Sequence, residues 1–141
     1  IDGKGRVFFN VEGQQIRRDI LDRLGSHFNM TFDENEKKRF SVLSSIGMPM
    51  KDLKKYLNAE SEERKILNAE TKGIPIDSTN NELAIWVNSA RKAAPRFSLA
   101  IKGDREADIP TIKRVISILQ DNKANRFALI TNLEGAPEAA K

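Results

Sequence analysis

The sequence predicts an α+β domain, and three patterns in its 141 residues support that class. Short stretches in which apolar and polar residues alternate predict β-strands, because successive side chains of a strand face opposite sides. Longer stretches with apolar residues three or four positions apart predict helices that bury one face. The last part of the chain has the order strand, helix, strand, which is typical of two parallel strands joined by a right-handed crossover.

The first strand is predicted at residues 6–11, where three apolar side chains share one face: Val7, Phe9 and Val11. A helix is expected after a short turn, with Gly25 as its C-terminal stop. Its apolar residues have helical spacing and are Ile16, Ile20, Leu21 and Leu24.

Residues 31–67 are predicted to be helical but of a different character. Thr31 and Glu34 match the two ends of a capping box, in which the hydroxyl accepts a backbone N–H of the first turn and the carboxylate reaches back. Residues 47–49 divide the stretch into two apolar stripes, formed by Phe40, Leu43 and Ile46 and by Leu53, Tyr56 and Leu57. Polar residues 58–65 predict the start of a third helix.

A short strand is predicted at residues 73–76, followed by a helix that starts at a capping box at 79–82 and stops at Pro95. The helix is expected to bury one face, made of Leu83, Trp86, Val87, Ala90 and Ala94. Gly103 and Asp104 are expected to form a turn after the next strand, which is predicted from the alternating residues Phe97, Leu99 and Ile101.

The last helix and strand are predicted from residue 110 onward. Pro110 suits the first turn of a helix, where its missing N–H would have no partner in any case. The apolar face of this helix is Ile112, Val115, Ile116 and Leu119. Residues 126–132 predict the last strand, and the small residues at 135–141 predict a flexible tail.

Composition and side-chain chemistry argue against several classes of function. The formal net charge is +4, but basic and acidic residues are interleaved, so we expect no basic stripe for nucleic acid. The chain has no cysteine and one histidine, His27, so we expect no zinc or thiolate site. Acidic clusters at residues 33–36 and 104–108 are interpreted as negative charge at helix N-termini. An acid-pair hydrolase using Asp33 or Asp104 is the enzyme alternative; our prediction is a non-enzyme with no cofactor, no metal and no catalytic residue.

An ordered set of motifs resembles the ExbD/TolR family of biopolymer-transport proteins. The C-terminal signature of that family is similar to Leu99-Ala-Ile-Lys-Gly-Asp104, Pro110-Thr-Ile-Lys-Arg-Val115, Leu119-Gln-Asp121 and Asn125-Arg-Phe-Ala-Leu-Ile-Thr131. The stretch at 74–83 resembles the strand-to-helix entry of the same domain, and residues 6–10 and 44–49 resemble the longer, Bacteroidota-type ExbD proteins. The sequence departs from the pattern at Ile109, where many relatives have an aromatic residue, and at 124–125, where many have glycine.

The resemblance implies a fold and a place in the cell. The fold would be a small mixed β-sheet with two main helices packed on one face, those that begin near Thr79 and Pro110, in one periplasmic domain of residues 1–134. Residues 31–72 would be a helical insertion. The full-length protein would cross the inner membrane once, by a helix that this chain lacks. The chain begins at Ile1 and has no apolar run of the ~20 residues that a membrane helix needs, so we expect an upstream segment.

The resemblance also implies a function. Members of the family form dimers inside a ring of an ExbB-like or TolQ-like partner, and they couple the proton motive force to a TonB-like energy transducer for outer-membrane transport. The alternative is a Tol-type or gliding/secretion stator that binds peptidoglycan. The family's proton-carrying aspartate lies in the membrane helix, so no residue of this chain is given that role.

A docking or dimer surface is predicted on the last strand and its neighbour. A sheet edge can accept an extended partner segment by strand addition, and the Pro-rich periplasmic stretch of a TonB-like partner would supply one. The residues expected at this surface are Lys102, Asp104, Arg126, Phe127, Leu129 and Thr131. Two other interpretations stay open: the strand at 126–132 only packs internally, and Asp104 is a structural turn residue.

Overall fold

The structure is a computed structural model that describes residues 1–96, 98–124 and 127–132. Along these residues the chain forms six helices and two strands. Their order is α1 (Gln14–Phe28), α2 (Glu34–Val42), α3 (Met50–Asn58), α4 (Ser61–Glu70), α5 (Glu82–Ala93), β1 (Leu99–Asp104), α6 (Ile109–Asp121) and β2 (Phe127–Asn132). The predicted combination of helices and sheet is therefore confirmed.

The two strands form a parallel sheet, and α6 connects them. The register runs from Leu99 opposite Phe127 to Asp104 opposite Asn132. The parallel strand, helix, strand unit predicted from the sequence is confirmed. Within the described residues this pair is the whole of the sheet.

The connection into α6 differs from the predicted one by a few residues. Residues 103–104 were expected to form a turn, and this is wrong, because both belong to β1. The turn comes next, where Ala107 N donates to Asp104 O at 2.9 Å. Asp108 then caps α6, and Pro110 lies in its first turn as predicted.

Two predicted strands are wrong. Residues 6–11 and 73–76 form only isolated bridges, of which the first joins Phe9 to Ile46 through backbone hydrogen bonds of 2.8 and 2.9 Å. A strand requires a ladder of such pairs with a continuous neighbour. Neither segment has that neighbour among the described residues, although Val7 is buried on the predicted face.

α1 ends later than predicted. Gly25 lies inside the helix, which runs to Phe28 and stops at Asn29, a residue in the left-handed conformation with φ 56°. Asparagine adopts this conformation more readily than most residues. Gly25 has a different role, because a Cβ there would lie 2.6 Å from the Met30 carbonyl oxygen as the chain turns back over the helix.

α2 begins beyond the predicted capping box at Thr31. Its N-cap is Asp33, whose carboxylate accepts from Glu36 N while the Glu36 carboxylate accepts from Asp33 N, both at 2.8 Å. Glu36 is 1% exposed and also accepts from Lys54 Nζ at 2.8 Å and Asn58 Nδ2 at 2.6 Å, so it joins α2 to α3. Burial raises the pKa of Glu36, but these hydrogen bonds outweigh burial and hold the pKa below its ordinary value.

α5 also starts two positions after its predicted cap. The capping residue is Asn81 and not Thr79, and its side-chain oxygen accepts from Ala84 N at 3.3 Å. The helix ends at Ala93, just before Pro95, as predicted. Its predicted apolar face is buried and consists of Leu83, Trp86, Val87, Ala90 and Ala94.

α5 lies at the centre of the core, since it contacts both α1 and α6, and α1 also contacts α2. The largest fully buried apolar side chains come from several elements and include Ile20, Leu21, Leu24, Leu53, Trp86 and Ile118. α4 contributes no buried residue. None of the helices in the described part of the chain combines the length and the apolar character needed to cross a bilayer.

Candidate functional site

The outer edge of β1, on the side away from β2, is only partly paired. Ile1 N donates to Lys102 O at 2.7 Å, and Asp104 N donates to Ile1 O at 2.8 Å. Alternate residues of a strand point their N–H and C=O groups to opposite edges, so Ala100 shares this edge with Lys102. Apart from the pairing of β1 with β2, no hydrogen bond among the described residues reaches Ala100 N, Ala100 O or Lys102 N. The edge therefore offers unpaired backbone donors and an acceptor.

A second open edge faces the first. Phe9 exchanges both of its backbone hydrogen bonds with Ile46, and Val7 O accepts from Ile74 N at 2.9 Å. Phe8 and Asn10 must then point their backbone groups the other way. No hydrogen bond within the described ranges uses those groups.

At one end, residues 1–2 fill the space between the two open edges, and that space is one strand wide. The chain reverses between Ile1 and Arg6, with Gly5 N donating to Asp2 O at 3.1 Å and Asp2 N donating to Arg6 O at 3.0 Å. Gly5 has φ 77°, a conformation that glycine adopts without strain. Here a single extended backbone, residues 1–2, is bonded to β1 on one side and to Arg6 on the other.

Beyond this closed end lies a groove of about 620 Å³. We call it the β1 groove; residues 100–102 form its β1 wall and residues 8–10 its N-terminal wall. Two small side chains line it from below, Ala90 of α5 and Ala94, which directly follows that helix. Charged residues at the groove are Glu12, Arg91 and Lys102. Next to it is an apolar cavity of about 80 Å³, lined in part by Leu83, Val87, Ile101, Val115 and Leu119.

The N-terminal wall is held in place by a buried guanidinium. Arg17 of α1 donates to Val11 O at 2.7 Å and to Ser44 O at 2.8 Å, and also to Asn10 Oδ1 and Leu43 O. Burial lowers the pKa of Arg17 from its ordinary value. The guanidinium thus ties the wall to α1 and to the chain that follows α2.

Two residues predicted at the docking surface lie beside the groove or at its closed end. Lys102 is exposed, and its N–H belongs to the open edge of β1. Asp104 is the last residue of β1, and its amide is bonded to Ile1. Its side chain accepts from Glu106 N at 3.2 Å, so Asp104 also begins the turn after the strand.

The other predicted residues belong to β2, on the far side of β1. Phe127 is half-buried, and Leu129 is 52% exposed. Arg126 lies outside the described residues, and so does the side chain of Thr131. β2 is paired directly with β1, so its residues lie on the strand next to Lys102 and Asp104, on the side of β1 away from the groove.

Sequence reasoning missed three of the residues that form the walls: Phe8, Asn10 and Ala100. The alternation at 6–11 indicated an extended segment, but nothing in it showed that one edge would stay unpaired. Asp33 and Asp108, from the two acidic clusters, are helix N-caps as interpreted. Hydrogen bonds from Thr111 lower the pKa of Asp108. Within the described ranges, no three His, Cys, Asp or Glu side chains come together in a way that could hold a metal ion.

Comparisons of this chain with protein-family models, curated proteins and solved structures find no match. The ExbD/TolR resemblance therefore rests on the ordered motifs of the sequence.

Proposed function

We propose that this chain is the periplasmic, partner-docking part of a stator-type inner-membrane protein of the ExbD/TolR kind, and that the β1 groove receives an extended segment of a TonB-like energy transducer. The observation that carries this proposal is the pair of backbone edges, at residues 8–10 and 100–102, that have no partner among the described residues and border one groove. An open edge is a template for strand addition, in which backbone hydrogen bonds supply affinity and side-chain pockets supply selectivity.

The chemistry of the groove favours a polypeptide over a small substrate. Its walls present main-chain N–H and C=O groups at the spacing of a strand, and its lower lining is made of alanines. The charged side chains beside it, Glu12, Arg91 and Lys102, are of both signs. We therefore assign the domain a binding and force-transmitting role, not a catalytic one.

Strand addition also suits the transmission of force. A segment lying along β1 is pulled along its own axis, so the hydrogen bonds on both walls carry the load together. In the proposed protein, proton flow through an ExbB-like partner moves a dimer anchored by one membrane helix, and the docked segment passes that motion on. The finer fold belongs to the same proposal: α5 and α6 are the two main helices on one face, and residues 31–72 are the insertion.

An amide NMR titration tests the docking step. Synthetic peptides that together cover the periplasmic part of a TonB-like protein are added to the isotope-labelled domain. One of them is expected to shift the amides of Ala100, Lys102, Phe8 and Asn10. No shift at a peptide concentration of about 1 mM, where even weak binding is populated, would refute the proposal.

A matched pair of variants locates the binding. Ala94→Leu fills the groove from below, whereas Ala93→Leu adds the same atoms at the preceding position of the chain, which does not line the groove. We expect the first to abolish the peptide-induced shifts and the second to preserve them. Equal binding by both would place the peptide elsewhere. Co-sedimentation with peptidoglycan, without any peptide response in the groove, would instead favour the Tol-type or gliding/secretion alternative.

The anchoring part of the proposal has a separate test. The complete coding sequence is expected to contain one apolar helix of about 20 residues that carries a single aspartate upstream of Ile1. A complete protein without such a helix would remove the stator proposal.

A further inference from the structure

We infer that a groove between α1 and α5 binds a single phosphate group, carried by a phospholipid headgroup or by a soluble phosphate ester. The groove has a volume of about 520 Å³ and shares no lining residue with the β1 groove. We call it the α1–α5 groove; its lining side chains come from residues 23–27 of α1 and residues 85–92 of α5. Binding of phosphate here does not depend on the docking function proposed above.

Helical spacing brings the lining residues together. On α1 they are Arg23, Ser26 and His27, which stand three and four positions apart and so lie on one face of the helix. On α5 the lining follows the same period from Ile85 to Lys92. Because the two helices contact each other, these faces form the two walls of the groove.

The ionisable side chains of the α1–α5 groove are basic. They are Arg23, His27 and Lys92, and none of the described residues that line the groove is acidic. His27 and Lys92 are exposed, and within the described ranges neither forms a hydrogen bond or an ion pair. Arg23 Nε lies 3.3 Å from the Asp19 carboxylate, in a pair whose side chains are 41% and 40% exposed. Such a surface pair contributes little, so Arg23 is free to turn to a bound anion.

The helix macrodipole accounts for part of this charge. His27 and Lys92 belong to the last turns of α1 and α5, where the backbone carbonyls attract cations. That attraction does not explain why a hydroxyl group without a partner is buried beside them.

This hydroxyl belongs to Ser89, the most buried residue of the lining. Ser89 is 6% exposed, and its Oγ has no hydrogen-bond partner among the described residues. Ser41 of α2 shows the usual arrangement, since it is also 6% exposed but its Oγ donates to Lys38 O at 2.7 Å. Buried hydroxyls normally have a partner, and Ser89 can reach one from the groove that it lines.

These donors suit a phosphate better than a carboxylate. Arg23 and Lys92 approach from opposite walls, and Ser89 lies deepest between them. A phosphate has a tetrahedron of oxygens that accepts hydrogen bonds from several directions, whereas a carboxylate has two oxygens in one plane. The amide nitrogen of Asn88 is not part of this set, because it donates to Asn122 Oδ1 at 2.9 Å.

Inorganic phosphate tests the site by amide NMR titration at constant ionic strength, which holds the screening of surface charges fixed. We expect saturable shifts at Ser26, His27, Ser89 and Lys92. Acetate serves as the comparison anion, and it is expected to bind about threefold more weakly or worse because it has fewer acceptor oxygens.

Variants locate the binding. Arg23→Gln and Lys92→Gln are each expected to weaken phosphate binding by about threefold, the scale of an exposed ion pair. The matched control is Lys55→Gln, which makes the same change of charge at an exposed lysine of α3. Ser89→Ala should also weaken binding, whereas Ser41→Ala, a change at an equally buried helical serine, should leave it unchanged.

Two further probes identify the carrier of the phosphate. Co-sedimentation with phosphatidylglycerol vesicles that is reduced by Lys92→Gln but not by Lys55→Gln would assign a lipid headgroup. Binding of glycerol 3-phosphate at the same amides, without sedimentation, would assign a soluble ester. Each of these results supports the site.

Three results would overturn it. Shifts that do not saturate below about 50 mM phosphate would mean that no site binds even at millimolar strength. Equal responses of Lys92→Gln and Lys55→Gln would mean diffuse attraction by the net charge. Equal binding of acetate and phosphate would remove the preference for phosphate. The docking proposal survives all three, because its peptide titration follows Ala100, Lys102, Phe8 and Asn10 at the β1 groove.

Discussion

Arg17→Met tests how the N-terminal wall of the groove is held. Arg17 is 8% exposed and donates to Val11 O at 2.7 Å, to Ser44 O at 2.8 Å and to Phe40 O at 3.4 Å. Methionine keeps an unbranched side chain of similar length but removes the charge and all donors. Two short hydrogen bonds from a charged group are worth about 1.5–3 kcal/mol each, or about 3–6 kcal/mol together. Removal of the buried charge returns part of this, because its desolvation costs several kcal/mol.

The expected net result is a loss of about 2–4 kcal/mol in the free energy of unfolding. Urea unfolding followed by far-UV circular dichroism measures it. The matched control is Arg18→Met at the next position, where the arginine pairs with a Glu34 carboxylate that is 78% exposed, so its removal should change stability little. The amides of Asn10 and Val11 should also shift in the Arg17 variant alone. If the two variants unfold within about 0.5 kcal/mol of each other, the reasoning about the buried guanidinium is wrong.

Glu36→Gln should cost about 1–3 kcal/mol at pH 7. Because the pKa of Glu36 is lowered in the folded state, its contribution to stability is present above the ordinary value of 4.5 and is lost as pH falls through the folded pKa. The difference in unfolding free energy between variant and wild type, measured by urea unfolding, should therefore shrink from pH 7 to pH 3. A constant difference would contradict this. Gly25→Ala should destabilise by about 1–3 kcal/mol, since its Cβ meets the Met30 carbonyl oxygen at 2.6 Å; the usual gain of ~1 kcal/mol for alanine in a helix would disprove that contact. Gly47→Ala should displace the Phe8 ring, which its Cβ would overlap, and weaken binding of the TonB-derived peptide to the groove. Unchanged binding would exclude a role for that ring.

Helices with a clear apolar stripe were predictable from the sequence. α5 buries the face expected for it, as the spacing of its apolar residues indicates. In α6 the prediction is right for Val115 and Leu119, whereas Ile112 and Ile116 are only half-buried and Ile118, which was not predicted, is buried. The caps were less predictable. Thr31 and Asp33 are both good N-caps by residue type. The structure uses Asp33, and the Phe32 side chain just before it is buried, at 6% exposure. A local pattern does not contain that tertiary contact.

The groove was harder to predict from the sequence than the helices were. Alternation at residues 6–11 correctly indicated an extended segment with Val7 turned to the core. Whether such a segment becomes a strand depends on a neighbour far away in the chain, and Phe9 finds only the single bridge to Ile46. The predicted docking surface was assigned to the last strand and its neighbour, and it included Lys102 and Asp104 of β1. The walled opening lies along the edge of β1 away from β2. Residues 98–102 and 8–12 meet there only after folding, so no spacing in the sequence could reveal the groove.

Trp86 gives the molecule a built-in optical signal. It is the only tryptophan of the chain, and its ring centroid lies 5.4 Å from that of Phe9, which lines the β1 groove. Its indole Nε1 is buried without a hydrogen-bond partner in the described part of the chain. Such an indole emits at short wavelength, and its emission responds when neighbouring rings move or water reaches the nitrogen. Occupation of the groove can thus be followed by intrinsic fluorescence from one known position, with no dye attached.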